Sequence, residues 1–488
     1  MSKNIQVEIS NCLGCTLSKC QSACPLNMPI SEITNLLKKD KLIEAFKINY
    51  KYNPLGSICG LVCPKERRCE SRCILNQKSK GVKFGLIEND IWQKIFILNL
   101  KENINLKDII DTGKINELNI EKSFIEKSKI AIIGGGPAGI ALSNFLSRYK
   151  IKSTIYEKEN YLGGIMMYGI PNFRLEKELI KNTLDLILDN SYTQIKLNKK
   201  LVSQKSFLET NKISNKNITE SLNKLSIENQ SETQTEITIE DLFKQGYKYI
   251  VLSIGLGKSK KLELNSNTNK IITANEFLKS QTQGNINKDL ISLNENIKNK
   301  KVIVIGGGNV AIDSARTAKK LGADVTIVYR RKLENMPANK EEIEEEFKEN
   351  IEFIFETNIK NITEENNIKT TPMIKENKIE ENKIEKTITE KTNIKATLID
   401  KESNIKEINC DYIIEAIGSE IQNDYINKEI KIENGKILVD KNFETTYKNV
   451  FAIGDIISNE NTIADAVKDA KDLSNYIINS LKKHKKIT

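Results

Sequence analysis

The sequence predicts an α/β chain in which two Rossmann-like, parallel-sheet nucleotide-binding domains follow a helical, cysteine-rich segment. Three observations carry this prediction. Lys129–Gly139 (KIAIIGGGPAG) and Val302–Ala311 (VIVIGGGNVA) each begin as a β-branched apolar run, break into three glycines, and continue as a helical pattern. Eight of the nine cysteines lie between Cys12 and Cys73.

At 488 residues the chain is too long for one small core, so two to three domains are expected. No stretch reaches the ~18 unbroken apolar residues of a membrane-spanning helix, and MSKNIQVEISN lacks the apolar core of a signal peptide. A soluble, cytoplasmic protein is expected. The net charge of +10 comes mostly from scattered lysines, which argues against a nucleic-acid surface. The KKHKK tail at Lys482–Lys486 reads as a solvated end.

The first cysteine block is Cys12-x2-Cys15-x4-Cys20-x3-Cys24-Pro25. The second is Cys59-x3-Cys63-Pro64-x4-Cys69-x3-Cys73. A zinc ribbon would need two separated C-x2-C pairs, and only one is present. Disulfides suit the wrong compartment, and buried free thiols would not be spaced so densely. Two Cys-Pro steps and four cysteines in one short run favour iron–sulfur ligation, in which the last cysteine of a run can serve the other cluster. Eight thiols suit two [4Fe–4S] clusters, not necessarily one block per cluster. Between the blocks, Ile30–Tyr50 has helical apolar spacing, and Glu88–Leu100 is a further helix candidate. Residues 1–120 are therefore expected to form a small helical cluster-binding domain.

In the first glycine stretch, Gly134, Gly136 and Gly139 fit G-x-G-x-x-G, and Pro137 and Ala138 open the helix. The three glycines allow a tight turn, close approach to a pyrophosphate, and close helix–strand packing. The phosphate would sit on the helix N-terminus. The helix is expected to run to about Tyr149, and a strand at Ser153–Tyr156 ends at Glu157. Glu157 follows Gly134 by 23 residues, the place for a carboxylate that hydrogen-bonds a ribose. A surface acid at a strand end is the bland alternative. Leu162-Gly163-Gly164 and Tyr168–Arg174 then form a glycine- and proline-shaped loop beside this nucleotide. Val202–Glu236 reads as an insertion or disordered loop, before a strand at Tyr249–Ile254.

The second stretch repeats the device with Gly306, Gly308, Asn309, Val310 and Ala311, where Ala311 replaces the third glycine. Two copies suggest two dinucleotides. At the matching offset of 23 stands Tyr329, followed by Arg330 and Arg331. Guanidinium groups suit a 2′-phosphate, so this copy should prefer NADPH over NADH. Arg316, on the intervening helix, either assists or belongs to a solvated face. Asn361–Lys395 is a second low-complexity stretch with no assigned role. Strands at Tyr412–Ala416 and Asn449–Ile453 lead to Gly418 and to Gly454-Asp455, and a helix begins near Thr462. Asp455 is placed for a hydroxyl-rich ligand, or else for a turn cap.

With these residues in hand, the chain resembles the β (small) subunit family of NADPH-dependent glutamate synthase. That family of electron-input modules includes the N-terminal half of dihydropyrimidine dehydrogenase and the large subunit of bifurcating ferredoxin:NADP oxidoreductase. The matching motifs are NCLGCTLSKCQSACP, NPLGSICGLVCPKERRCESRC, IAIIGGGPAG, LGGIMMYGIPNFRLEKE, VIVIGGGNVAID, VTIVYRRKLENMPA and VFAIGD. The resemblance implies a helical Fe–S domain, then an FAD domain (128–265 and 409–488) split around an NADPH domain (270–408). It implies FAD at Gly134–Gly139, Glu157, Gly164, Arg174, Gly454, Asp455 and Thr462, with NADPH at Gly306–Ala311, Arg330 and Arg331. It also implies crossed clusters: Cys12, Cys15, Cys20 and Cys73 hold one, and Cys24, Cys63, Cys69 and Glu88 hold the other. Cys59 then drops out as a ligand.

The implied activity is an NADPH-dependent oxidoreductase that passes electrons from NADPH through FAD and two [4Fe–4S] clusters to a partner, a large catalytic or ferredoxin-linked subunit. No acid–base dyad is needed when cofactors carry the chemistry, in keeping with a single histidine, His484. Reductases of the glutathione or thioredoxin type need a redox dithiol, whereas only Cys410 lies beyond Cys73. The alternatives are electron input to pyrimidine reduction or to bifurcation and, in a different class, a non-catalytic iron–sulfur or zinc scaffold.

Overall fold

The computed structural model describes residues 2–78, 80–102, 128–203, 234–263, 268–283, 297–371, 387–423, 426–458 and 462–483. Most of the first expected insertion, the centre of the second, residues 103–120 of the expected 1–120 domain, and His484 lie outside these residues. Two compact units emerge. One comprises 1–167, 172–258 and 420–488; the other comprises 168–171 and 259–419.

The first unit opens with helices α1 (Lys3–Asn11), α2 (Ile30–Leu37), α3 (Leu42–Tyr52), α4 (Gly56–Val62) and α5 (Phe84–Glu102). Ser2 caps α1 by accepting the Ile5 N–H. The expected helical run at Ile30–Tyr50 is broken into two, because Asp40 adopts φ +56° between α2 and α3. Helix α3 then stops before Asn53-Pro54, where proline disfavours helical geometry in its predecessor. Phe46, Tyr50 and Trp92 fill the core of this domain, with Phe46 and Trp92 edge-to-face at 5.0 Å.

The remainder of this unit is a five-stranded parallel sheet. Its strands are β1 (Ile130–Ile133), β2 (Ser153–Tyr156), β3 (Thr193–Lys196), β4 (Tyr249–Leu252) and, late in the chain, Val450–Ala452. The last strand pairs with β4, so the order is Val450–Ala452, β4, β1, β2, β3. Helix α6 (Pro137–Ser147) follows β1, and α7 (Lys177–Leu188) precedes β3. Strands β1 and β4 are wholly buried, as the unbroken β-branched runs require.

In the second unit the strands are β5 (Ile271–Thr273), β6 (Lys301–Ile305), β7 (Asp324–Tyr329) and β8 (Glu352–Phe355). Three more follow: β9 (Thr357–Thr371), β10 (Thr387–Asp400) and β11 (Ile405–Cys410), then β12 (Tyr412–Glu415). The parallel sheet has the order β8-β7-β6-β12-β5, with helices α8 (Asn309–Lys320) and α9 (Lys340–Lys348) after β6 and β7. The glycine-bearing strand is central in both sheets.

Two expectations are corrected here. The return to the FAD domain was expected at 409. Instead β12 pairs in parallel with β6 and β5, which keeps the chain in the second unit as far as Ser419. The stretch Asn361–Lys395 was expected only as a low-complexity insertion. Its ends instead form an antiparallel hairpin, β9 with β10, completed by β11. Ile362, Ile394, Ala396 and Leu398 are buried on one face of this hairpin, which accounts for the fold of a stretch so rich in Lys, Glu and Asn. The strand at Val450–Ala452 is hereafter β13, and the final helix, Ile463–Lys483, is α10.

Candidate functional site: two glycine cradles and a cysteine cage

At the end of β1, Gly134 takes φ +109°. A Cβ there would lie 2.4 Å from the Ser253 carbonyl oxygen, so only glycine fits. A Cβ on Gly139 would meet the Gly134 carbonyl oxygen at 2.1 Å, so α6 lies directly on β1. Gly136, between them, faces open space, with nothing within 4 Å of where its Cβ would be. This leaves room for a phosphate against the free N–H groups that begin α6, with Pro137 at the first helical position.

Glu157 is buried beside this loop. Its Oε2 accepts the Gly135 N–H at 2.6 Å and its Oε1 the Glu159 N–H at 2.9 Å. Burial pushes its carboxyl up, and those two N–H donors oppose the shift. Each oxygen keeps a further lone pair for a ribose hydroxyl. A small cavity lined by Gly134, Glu157, Lys199, Lys200 and Ile254 opens alongside, at the carboxyl ends of β1 and β2. Gly164 folds back over the loop, where a Cβ would lie 3.0 Å from Gly136 Cα, and the Gly163 N–H donates to the Gly135 carbonyl. Gly454 and α10 close the other side. A Cβ at Gly454 would be 3.2 Å from Ala138 Cβ, and Thr462 caps α10 by accepting the Asp465 N–H. Asp455 is half-buried, its carboxyl raised by burial and drawn back by Lys436. Arg174 lies half-buried in the loop before α7.

The second loop repeats this geometry. Gly306 takes φ +141°, with the Ala416 carbonyl oxygen 2.4 Å from where its Cβ would be. Gly308 faces nearly open space, and Ala311 is buried at the third position. Strand register makes the comparison strict. Ile133 pairs with Tyr156 and Ile305 with Val328, so Glu157 and Tyr329 stand at equivalent positions. Tyr329 packs its ring against Gly307 and donates its hydroxyl to the Asn335 carbonyl at 2.8 Å. Arg330 and Arg331 follow it, both exposed. The Ala338 N–H donates to the Gly307 carbonyl, and the Asn339 N–H to Asn309 Oδ1, so the loop carrying the arginines is tied to the glycine loop.

Arg316 is a correction. Neither turned to a nucleotide nor solvated, it is buried on α8 against α9, 2.7 Å from Glu342 and 2.9 Å from Glu349. Those two carboxylates use its fork, so it serves the packing of α8 on α9.

The cysteines group in space across their sequence blocks. Cys12, Cys15, Cys20 and Cys73 line a cavity of about 230 Å³, with Cys69 also at its wall. Thr34 Oγ1 donates to Cys12 Sγ, and Ser18 Oγ lies 3.0 Å from Cys20 Sγ. Cys24, Cys63 and Cys69 lie near enough to act electrostatically on one another, and Glu88 acts on Cys24, Cys63 and Cys59. Burial pushes Cys63 up to about 12, and raises Cys24 and Cys69 in the same direction. Soft thiol donors held this way fit iron–sulfur groups, whose positive charge would offset the cost of ionising buried thiols. Glu88 is buried on α5, where Asn49 and Asn53 donate to its Oε1 at 3.0 and 3.3 Å. Cys59 is buried on α4 and strongly raised by burial.

Sequence reasoning missed the residues that join these parts. Asp469 on α10 accepts the Gly454 N–H at 3.0 Å, and burial raises its carboxyl to about 6. Arg68, beside Cys69, donates to Asp465. A polar residue two helical turns into a predicted helix after Gly454-Asp455 was the available signal for Asp469; Arg68 gave none.

Residues 128–470 match the family model described as pyridine nucleotide-disulphide oxidoreductase. Residues 1–97 match that described as dihydropyrimidine dehydrogenase domain II, 4Fe-4S cluster. The chain is 28% identical over 347 residues to the glutamate synthase [NADPH] small chain of Escherichia coli, covering 69% of this chain and 62% of that one, under two thirds of its length. It is 24% identical to the Azospirillum brasilense chain of the same name, covering 96% and 88%. Among solved structures, Mycobacterium tuberculosis FprA in complex with NADPH shares the fold at a TM-score of 0.52 and 13% identity, covering 74% of this chain and 85% of that one. No helix among the described residues is long and apolar enough to cross a membrane. The chain therefore belongs to the pyridine nucleotide-disulphide oxidoreductase family, as an FAD- and NAD(P)-dependent oxidoreductase with a 4Fe–4S domain at residues 1–97.

Proposed function

We propose that this chain takes electrons from NADPH and delivers them, through FAD and two [4Fe–4S] clusters, to a separate large subunit, as a glutamate synthase small subunit would. The observation that carries this reading is the register-matched contrast between Glu157 and Tyr329-Arg330-Arg331. A carboxylate beside the first cradle suits the ribose of FAD, and paired guanidiniums beside the second suit the 2′-phosphate of NADPH.

When bound, nicotinamide, flavin and clusters supply hydride transfer and one-electron release. The chain's own residues bind and orient. The N–H groups around Gly136 and Gly308 receive the two pyrophosphates, with Pro137, Ala138, Val310 and Ala311 forming the helix starts behind them. Glu157 accepts from a ribose hydroxyl, and Arg330 and Arg331 donate to the 2′-phosphate. Gly164, Arg174, Gly454, Asp455 and Thr462 surround the rest of the flavin. Cys12, Cys15, Cys20 and Cys73 hold one cluster; Cys24, Cys63, Cys69 and Glu88 hold the other. The cavity shared by the first four thiols supports this division. Thiols kept for cluster ligation suit a reducing cytoplasm.

The match of residues 1–97 to a dihydropyrimidine dehydrogenase domain favours a second reading, electron input to pyrimidine reduction. The test is to purify the chain with whatever accompanies it. A flavin spectrum, about eight irons per chain, bleaching by NADPH in preference to NADH, and a co-purifying glutamate synthase large subunit are expected. A colourless, iron-free chain would overturn the reading, and a pyrimidine-reducing partner would favour the second.

A further inference from the structure

Helix α10 bridges two cofactor regions of the first unit. One side packs on α6, the helix that begins at the first glycine cradle, and Ala466 lies near Gly454. Another side meets the cysteine domain at two points. Asp465, in the first turn, accepts from Arg68 Nη2 at 2.7 Å, with the two side chains only 22% and 11% exposed. Two turns on, the Lys471 ammonium lies 4.3 Å from the centroid of the Tyr52 ring and 3.5 Å from the Leu26 carbonyl. Asp465 also accepts from Thr462 Oγ1, and its own N–H donates back to that oxygen, so the carboxylate is fixed on both sides.

Arg68 immediately precedes Cys69. Its positive charge reaches the Cys24 and Cys63 thiols of the same group. Lys65, the neighbouring cation, donates to the Gly60 and Cys63 carbonyls. The guanidinium therefore lies between the helix start at the flavin cradle and the second cysteine group.

We propose that Arg68 is a positioning residue for electron exit from the flavin: it ties the first turn of α10 to the Cys24, Cys63 and Cys69 group and holds positive charge beside the cluster those residues bind. The inference rests on the proposed function. NADPH is the reductant. Each electron arriving at the cluster adds one negative charge to it, and two such transfers, with release of two protons, reoxidise one reduced flavin. A fixed cation beside the cluster lowers the cost of that added charge. A fixed Arg68–Asp465 contact holds the distance over which the electron passes.

The test uses the holo chain with Arg68→Gln, Arg68→Lys and Asp465→Asn. In an EPR-monitored potentiometric titration, Arg68→Gln should lower the one-electron equilibrium constant of one cluster about tenfold, a fall of ~59 mV. Arg68→Lys should keep the wild-type midpoint. Asp465→Asn should leave the midpoint no lower, but after mixing with NADPH it should cut the ratio of cluster to flavin reduction rates at least tenfold. An unchanged midpoint in an iron-replete Arg68→Gln chain would overturn the charge role. If that variant loses iron, Asp465→Asn decides, and a wild-type rate ratio would sink the proposal. A wild-type chain without flavin or iron would instead refute the proposed function itself.

Discussion

Gly139→Ala tests how tightly the first cradle is built. The added methyl would sit 2.1 Å from the Gly134 carbonyl oxygen, 2.7 Å from Ser253 Oγ and 3.1 Å from Ile132 Cγ2. The nearest obstacle is backbone, and Ser253 Oγ holds it by donating to the same carbonyl at 3.0 Å. It cannot swing aside as a flexible side chain would. Helix and strand must part by about 1 Å to restore ordinary contact. Overpacking of this kind costs up to about 3 kcal/mol; alanine's better helix propensity offsets ~1 kcal/mol. The net loss is about 2 kcal/mol, roughly 30-fold in the folded-to-unfolded ratio. The same displacement moves the start of α6 away from the phosphate, so bound FAD should fall as well. Denaturant midpoints and FAD content per chain measure both effects. A variant with wild-type midpoint and full flavin would refute the packing argument. The second cradle supplies the control: Ala311 already occupies the equivalent place, with its Cβ 3.3 Å from the Cβ position of Gly306.

Replacing Arg330 and Arg331 by Ala removes two charge-assisted donors and should raise the KM for NADPH about 10- to 100-fold while leaving NADH little changed; equal effects on both in steady-state kinetics would remove the pair from the 2′-phosphate. Cys59→Ser should keep about eight irons per chain, and loss of a cluster by iron assay would make Cys59 a ligand. Asp469 has a folded carboxyl raised from 3.8 to about 6 by burial, so the native state binds the extra proton between those values. Its stabilising contribution is full below about pH 4 and lost as pH rises through about 6. In Asp469→Asn the denaturant midpoint should lose this component of its decline between about pH 4 and 6.5, and an unchanged slope would show that Asp469 does not titrate in that window.

The glycine cradles were legible in the sequence because every link in them is local: a strand, a turn that only glycine can make, and a helix. Glu157 and Tyr329 were legible for the same reason, since register fixes the offset from Gly134 and Gly306. Arg316 misled because a sequence shows a cation on a helix but not the helix that will face it; Glu342 comes from α9 and Glu349 from the residue that caps it. The hairpin of β9 and β10 was hidden by composition. Among the described positions, buried Ile362 is flanked by exposed Asn358, Lys360, Thr363 and Glu364, which dilute the apolar alternation. The boundary near 409 failed because β12 joins its sheet beside β6, more than a hundred residues earlier in the chain. The spatial grouping of the cysteines was beyond spacing alone, because Cys73 returns to the first block only through the fold of the segment after Cys63.

The order in which the chain is made bears on this architecture. The second unit is drawn almost wholly from 259–419, and its parallel sheet is complete once β12 emerges. The first unit waits for β13 and α10, which end at Lys483. At ~5–20 residues per second, the 64 residues from 419 to 483 take roughly 3–13 s to synthesise. Until β13 arrives, Ile250, Val251 and Leu252 present an unpaired parallel edge, an apolar template for a neighbouring chain. The nucleotide-binding unit inserted between the two halves thus has a kinetic head start, and nascent chains of this protein are most prone to aggregate in the seconds before residue 452 leaves the ribosome.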